Sequence, residues 1–259
     1  MSSELFLEQS GRVIAALAAE LGCDEAQLRS ERLEVVTLPV DGSPGRAALA
    51  ATCGVGTVVS VPGELVGWVR EFAPPDRHFR AMQPFFLAEL AAEIERRGIA
   101  VKAKAHGFSL GFALDAAQAI PEVPAGFTIR TVAREWIARY RPSTVFDNAL
   151  GEMTEPDRIE KTRHAIAVMD AKGEPAAIAG WWDEGHGRDE IGVDVRRDAR
   201  GLGLGKLAVT AATHRIMEAG RTPFYSCGAT NVRSHRNALA CGFLPVFTIG
   251  MLRREADSR

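Results

Sequence analysis

Arg200-Gly201-Leu202-Gly203-Leu204-Gly205-Lys206 is the stretch on which the reading of this chain turns. Three glycines at alternate positions stand between a strand pattern ending at Val195 and a helical pattern running to Ala219. In that helix Leu204, Leu207, Ala208, Ala211, Ala212 and Ile216 share one face. Glycines at such a junction let backbone N–H groups approach a pyrophosphate and present it to the positive end of the helix dipole. A dinucleotide-binding loop would follow the first strand of a βαβ unit and lead to an acidic residue about 20 positions on. Here the loop follows several strands. A Walker loop would need Ser or Thr after Gly205-Lys206, and Leu207 stands there instead.

The strands before the loop read as His164 to Asp170, Pro175 to Asp183 and Glu190 to Val195. Glycine turns at 171–174 and 185–188 join them into an antiparallel meander. A strand at about 127–131 and irregular helices across about 132–162 precede it. After the long helix, stopped by Gly220, come a strand from Phe224 to Ala229, a helix at about 231–241 and a last strand from Val246 to Leu252.

A second signature lies in that last helix: Asn231-Val232-Arg233-Ser234-His235-Arg236-Asn237-Ala238-Leu239-Ala240-Cys241-Gly242-Phe243. With Arg200-x-x-Gly203-x-Gly205 before it in the right order, residues 127 to 254 resemble the GNAT superfamily of acyl-CoA-dependent N-acetyltransferases. That family carries Arg/Gln-x-x-Gly-x-Gly/Ala after its fourth strand, then an Asn followed eleven residues later by Gly-Phe. The resemblance implies a central, mostly antiparallel sheet flanked by helices, whose fourth and fifth strands splay to admit pantetheine. It implies acetyl-CoA as co-substrate, without a metal. It places Val195, Arg200, Gly201, Gly203, Leu204, Gly205 and Lys206 at the cofactor, Lys206 on the phosphate side, and Asn231 beside the pantetheine arm, where it also suits a helix N-cap.

Acetyl transfer to an amine needs a base for a proton whose solution pKa is near 10, donors for the oxyanion and a proton for the thiolate. Glu190 is the expected base because it opens the fourth strand, where the family it resembles often holds a carboxylate. Asp189 and Asp194 compete, since a bulge would exchange their faces, and all three also read as solvated strand-end charges. The family's usual acid is a Tyr seven residues after the Asn, but this chain has Ala238 there. His235, one turn earlier, is the named candidate, with Ser234, Tyr225 and water beside it; His235 also reads as a surface histidine. Trp181 and Trp182 point to opposite faces of their strand, so one is expected in the core and one at the acceptor cleft. His186 reads as a solvated turn residue, and Cys227 and Cys241 as buried small apolar residues.

The remaining residues carry no chemical motif. A helix over residues 4–21 ends at Gly22. Strands are expected at Leu33 to Val40 and at Arg46 to Val61, the second interrupted by Gly54 and Gly56. Helices follow at Gly63 to Phe72 and at about Arg80 to Arg97, the latter with Phe85, Phe86, Leu90 and Ile94 on one face. Ile120-Pro121-Glu122-Val123-Pro124-Ala125-Gly126 reads as a linker, giving an N-terminal mixed α/β domain over 1–120 and a GNAT-type domain over 121–259.

The 259 residues are 46% hydrophobic and 25% charged, with 31 Lys+Arg against 33 Asp+Glu. That balance excludes wholesale disorder and argues against nucleic acid or an anionic membrane as partner. Up to residue 120 there are 11 basic and 15 acidic residues, and 20 and 18 after it, a bias that suits a phosphate-bearing ligand in the second half. Four scattered cysteines and an acidic N-terminus without an apolar h-region point to a reducing, cytoplasmic setting. The expected function is acetyl transfer from acetyl-CoA to a primary amine of a small molecule by direct attack in a ternary complex. A homodimer is left open, as is the rival reading of a non-catalytic acyl-CoA-binding or regulatory module. The acceptor is expected to depend on Trp136 to Ile159, the strand near Trp182 and the first domain.

Overall fold

The structure, a computed structural model, describes residues 3–39, 45–73, 75–99, 103–140, 145–151, 162 and 164–254. Its elements run α1 (Glu4–Leu21), α2 (Glu25–Leu28), β1 (Leu33–Thr37), β2 (Arg46–Thr52), β3 (Thr57–Val61), α3 (Val66–Phe72), α4 (Pro84–Arg96) and β4 (Ala103–Leu114). They continue β5 (Thr128–Ala133), α5 (Arg134–Arg139), α6 (Asp147–Leu150), β6 (His164–Met169), β7 (Pro175–Asp183), β8 (Arg188–Val195), α7 (Leu204–Glu218), β9 (Thr222–Gly228), α8 (Val232–Ala240) and β10 (Phe243–Arg254). The fold is mixed α/β, as expected. Its contacts define two compact units: one of Met1–Val13, Phe112–Ser226 and Val232–Leu244, the other of Ile14–Gly111, Cys227–Asn231 and Pro245–Arg259.

In the second of these units the strand order is β1-β3-β2-β10-β4. Parallel pairing joins β1 to β3, and antiparallel ladders join β3 to β2 and β2 to β10. The expected break at Gly54 and Gly56 is a hairpin turn: Gly54 has φ +92°, and a Cβ on Gly56 would lie 1.7 Å from the Ser30 carbonyl. Helix α4 starts at Pro84, whose missing N–H costs nothing in a first turn. Phe86, Leu90 and Ile94 recur every four residues and pack with Leu33, Val59 and Val61. Each such side chain contributes about 2 kcal/mol of burial. Phe85 departs from expectation: one residue off that stripe is a rotation of about 100°, which leaves it 45% exposed. The sequence reading also passed over β4, whose Phe108, Leu110, Phe112 and Leu114 alternate as a strand should.

The other unit orders its strands β5-β6-β7-β8-β9. The predicted meander is present, with β5 to β8 antiparallel throughout. Beside it β9 runs parallel to β8, the pairing that requires a crossover, here supplied by α7. That helix is buried on nearly every side, from Leu204 and Leu207 through Ala212 to Ile216, and packs on β6, β7 and β8. Across the sheet from it, Val132, Ile137, Phe146, Ala149 and Leu150 cover Ala165, Ala167, Met169 and Ile178.

Two glycines fix how closely α6 lies. Gly180 and Gly192 face each other across β7 and β8. A Cβ on either would stand 1.9 Å from the Ala149 carbonyl or 1.8 Å from that of Asn148. Glycine inside a strand here marks the close approach of another backbone. The expected irregular helices are α5 and α6, while residues 141–144 and 152–161 of that stretch lie outside the described residues. Among the described residues no helix is long and apolar enough to cross a membrane.

Candidate active site

Strand β8 starts two residues earlier than the sequence suggested, so Glu190 is its third residue and not its first. The glycine turn is tighter than expected, and pairing with β7 already holds at Asp183 and Asp189. The β7–β8 ladder is unshifted from Ala177–Val195 to Asp183–Asp189, so no bulge exchanges the faces. Glu190, Gly192 and Asp194 therefore share the face covered by α6, and Asp189 takes the other.

None of the three carboxylates is a solvated strand end. Asp189, 6% exposed, is held by Arg221 at 2.7 Å. Asp194 accepts from the Asn148 amide at 2.8 Å and the Ala149 backbone N–H at 2.9 Å, which ties α6 to β8. Burial pushes its carboxyl above the usual range against those donors. Glu190, 8% exposed, accepts a hydrogen bond from the Ser226 hydroxyl on β9.

That bond marks where the two strands part. Parallel pairing runs from Arg188–Thr222 to Ile191–Tyr225 and stops, although β8 continues to Val195 and β9 to Gly228. Beyond Ile191, the backbone groups of β8 that face away from β7 have no ladder partner on β9. Tyr225, the last paired residue of β9, is 1% exposed, and its hydroxyl lies 2.7 Å from the Ser234 hydroxyl on α8. Ser234 precedes Ala238 by four residues and so lies on the same helix face. His235 sets its ring edge against Phe112, 5.8 Å between centroids, with Nε2 buried and without a hydrogen-bond partner among the described residues.

The loop after β8 is fixed by Arg196. Its guanidinium binds Asp198 at 2.7 Å and Asp170 at 2.9 Å, and its Nη1 donates to the Pro175 carbonyl. Both carboxyls are held below their ordinary range chiefly by the hydrogen bond from Arg196. Beyond it Gly201 (φ +85°) and Gly203 (φ +77°) are left-handed, and a Cβ on either would meet nothing within 4 Å. Gly203 is the N-cap of α7 and gives no side-chain cap; the helix ladder begins at Leu207 N–H to the Gly203 carbonyl. The amides of Leu204, Gly205 and Lys206 are thus the first-turn donors that a helix leaves free.

Arg200 donates to the Val195 carbonyl at 3.3 Å. Gly205 lies against Val195 and Asn237. Lys206 is half-buried and its carbonyl accepts from the Cys241 thiol, whose pKa burial pushes up to about 11. Asn231 is exposed and directly precedes α8, in the segment Cys227–Asn231 that belongs to the other unit.

Several residues the sequence reading missed hold this arrangement: Ser226, Asn148, Arg196 and the Gly180–Gly192 pair. Only the two glycines carried a signal, as small residues inside strand patterns. Trp182 is buried and donates to Glu184 at 2.5 Å; Trp181 is half-buried and stacks on His164 at 6.0 Å. Exposed His186 is the one non-glycine residue of positive φ, at 54°, among those described. No group of three or more His, Cys, Asp or Glu among the described residues is placed to hold a metal ion.

The parallel β8–β9 pair thus parts beyond Ile191, with a glycine loop and an uncapped helix start after the end of β8. Residues 131–243 match the Acetyltransferase (GNAT) family. A GCN5-related N-acetyltransferase-like protein from Streptococcus suis superposes with a TM-score of 0.51 at 15% identity, over 95% of this chain and 99% of that one. A Drosophila protein gives 0.51 at 19%, over 66% of this chain and 58% of its own, so this chain spans less than two thirds of it. A GCN5-related N-acetyltransferase from Kribbella flavida gives 0.49 at 18%, over 95% and 96%. At these identities the two likenesses at 0.51 are ones of fold. No curated protein matches the sequence significantly.

Proposed function

We propose that this protein transfers acetyl from acetyl-CoA to the primary amine of a small molecule, by direct attack within a ternary complex. The observation that carries the reading is the open, left-handed glycine loop at the uncapped start of α7, one strand end away from a buried carboxylate at the splay. Acetyl-CoA supplies an activated thioester carbonyl. The residues 200–206 would hold its phosphates by backbone N–H groups and the helix dipole, and the unladdered edge of β8 up to Val195 would align the arm.

Glu190 accepts the amine proton, directly or through water, with the Ser226 hydroxyl fixing its orientation. For the proton returned to sulfur we assign Ser234 backed by Tyr225, ahead of His235, whose Nε2 is buried against Phe112 without a partner among the described residues. The hydroxyl pair lies on the face of α8 that presents Ala238. A small acceptor is favoured because the near-neutral charge offers no extended docking surface.

The test is release of free CoA thiol over a panel of small primary amines. Turnover with at least one amine is expected. Tight acetyl-CoA binding with no thiol release beyond hydrolysis would support the non-catalytic module instead.

A further inference from the structure

The gap between β8 and β9 has a closed end. Along β8 the even-numbered residues bond to β7: Glu184 N–H donates to the Arg188 carbonyl at one end of the ladder, Arg196 N–H to the Ala176 carbonyl at the other, and no register shift lies between. The odd-numbered residues therefore turn their backbone groups the other way, as the Gly187 carbonyl does in accepting from Thr222 N–H. Past the last rung, Ile191–Tyr225, the groups that face the gap belong to Val193 and Val195.

In the reading above, on which this inference rests, the phosphates lie at the first turn of α7. A Cβ on Gly205 would stand 3.3 Å from Val195 Cγ2, so that turn adjoins the outer end of the gap and the arm enters there. From Val195 inward to Ile191 is about 13 Å of strand. The thioester end of the arm is thus carried to the last rung, beside Glu190.

The rung is a floor. Ile191 is 2% exposed and Tyr225 is buried, and residues directly opposite on paired strands share a face. On that face the Tyr225 ring meets Phe112 edge-on, 6.0 Å between centroids, and tilts against Phe243 at 5.9 Å. Further out, Val193 and Ser226 are only half-buried, so closure begins at Ile191 and Tyr225. Glu190 lies on the opposite face with Trp182 and Phe224. The amine is deprotonated on the Glu190 face, which leaves the acyl chain to point toward Ile191 and Tyr225.

We infer that Ile191, with Tyr225 beside it, sets the length of the acyl group this protein accepts: acetyl fits above the rung, and a longer chain is stopped by it. Each added methylene has to displace a side chain that is already packed on all sides.

Calorimetric affinities for acetyl-, propionyl- and butyryl-CoA test this without knowledge of the acceptor. Wild-type protein should bind butyryl-CoA at least about tenfold more weakly than acetyl-CoA, within the range that methylenes command in a closed pocket. Ile191→Ala removes three carbons from the floor and should bring butyryl-CoA to within about threefold of acetyl-CoA. Ile191→Val removes one carbon, disturbs the core least, and should relieve the penalty on propionyl-CoA alone. If wild-type protein binds butyryl-CoA as tightly as acetyl-CoA, the inference is overturned and the function reading stands. Unchanged preferences in an Ile191→Val protein that melts cooperatively overturn it as well. Wild-type protein that binds none of the three thioesters overturns the function reading and this inference with it.

Discussion

Gly192→Ala should be among the most damaging single-methyl additions to the unit that holds β5 to β9. The new Cβ would lie 1.8 Å from the Asn148 carbonyl and 3.0 Å from Trp182 Cζ3, neither of which is the far end of a flexible chain. Carbon and oxygen need at least about 3 Å, so α6 must retreat by more than an ångström. The bonds from Asn148 and Ala149 to Asp194 are already 2.8 and 2.9 Å, and the same shift takes both out of range. Each is a hydrogen bond to a charged group worth about 1.5–3 kcal/mol, and a half-buried carboxylate is left behind. The expected loss is about 3–5 kcal/mol, or roughly 10 °C in melting temperature. Urea denaturation of wild type, Gly192→Ala and Gly205→Ala gives the comparison. Gly205 faces only the side chains of Asn237 and Val195 at 3.3 Å, so Gly205→Ala should stay within about 1 kcal/mol. A Gly192→Ala protein within about 0.5 kcal/mol of wild type would refute the close-approach argument.

Glu190→Gln should lower kcat by about 100-fold and alter the acid limb of the pH profile, while acetyl-CoA affinity holds; an unchanged profile would remove Glu190 as base. Ser234→Ala and Tyr225→Phe should each slow turnover by about tenfold or more, and His235→Gln by less; steady-state rates with one amine rank them, and the reverse order returns the role to His235. The carboxyls of Asp170 and Asp198 are depressed in the folded protein, so they favour folding above their unfolded pKa and that contribution is lost as pH falls through the folded value. Asp170→Asn should therefore flatten the fall in melting temperature from about pH 5 to about pH 3, a slope that thermal scans read directly.

The sequence made the meander, the crossover helix and the glycine loop legible because each is local. Alternation to Trp182, helical spacing after Gly203 and the glycines themselves are set within a few residues. What sequence did not give was set by distant partners. Ser226 matters because β9 passes beside Glu190, and Asp194 is an anchor because α6 lies over Gly192. The strand at Ala103–Leu114 was passed over despite its alternation because Gly107 and Gly111 are residue types that weaken a strand; Gly111 is there to admit Phe247, whose ring would lie 2.2 Å from a Cβ. Residue type alone also allows Glu190 to be a solvated strand end rather than a base, yet β7 and β9 enclose it on both edges.

The central claim is that the loop after β8 binds acyl-CoA through its backbone, and calorimetric titration of wild type and Gly203→Val with acetyl-CoA, NAD and ATP tests it most directly. A side chain at Gly203 meets no protein atom within 4 Å, so it would fill the space where phosphate must reach the amides and leave the core intact apart from left-handed strain. Saturable binding of acetyl-CoA alone by wild type, abolished in a Gly203→Val protein that still melts cooperatively, is the expected result. Preferential binding of NAD or ATP, or equal acetyl-CoA affinity in the two proteins, would contradict it.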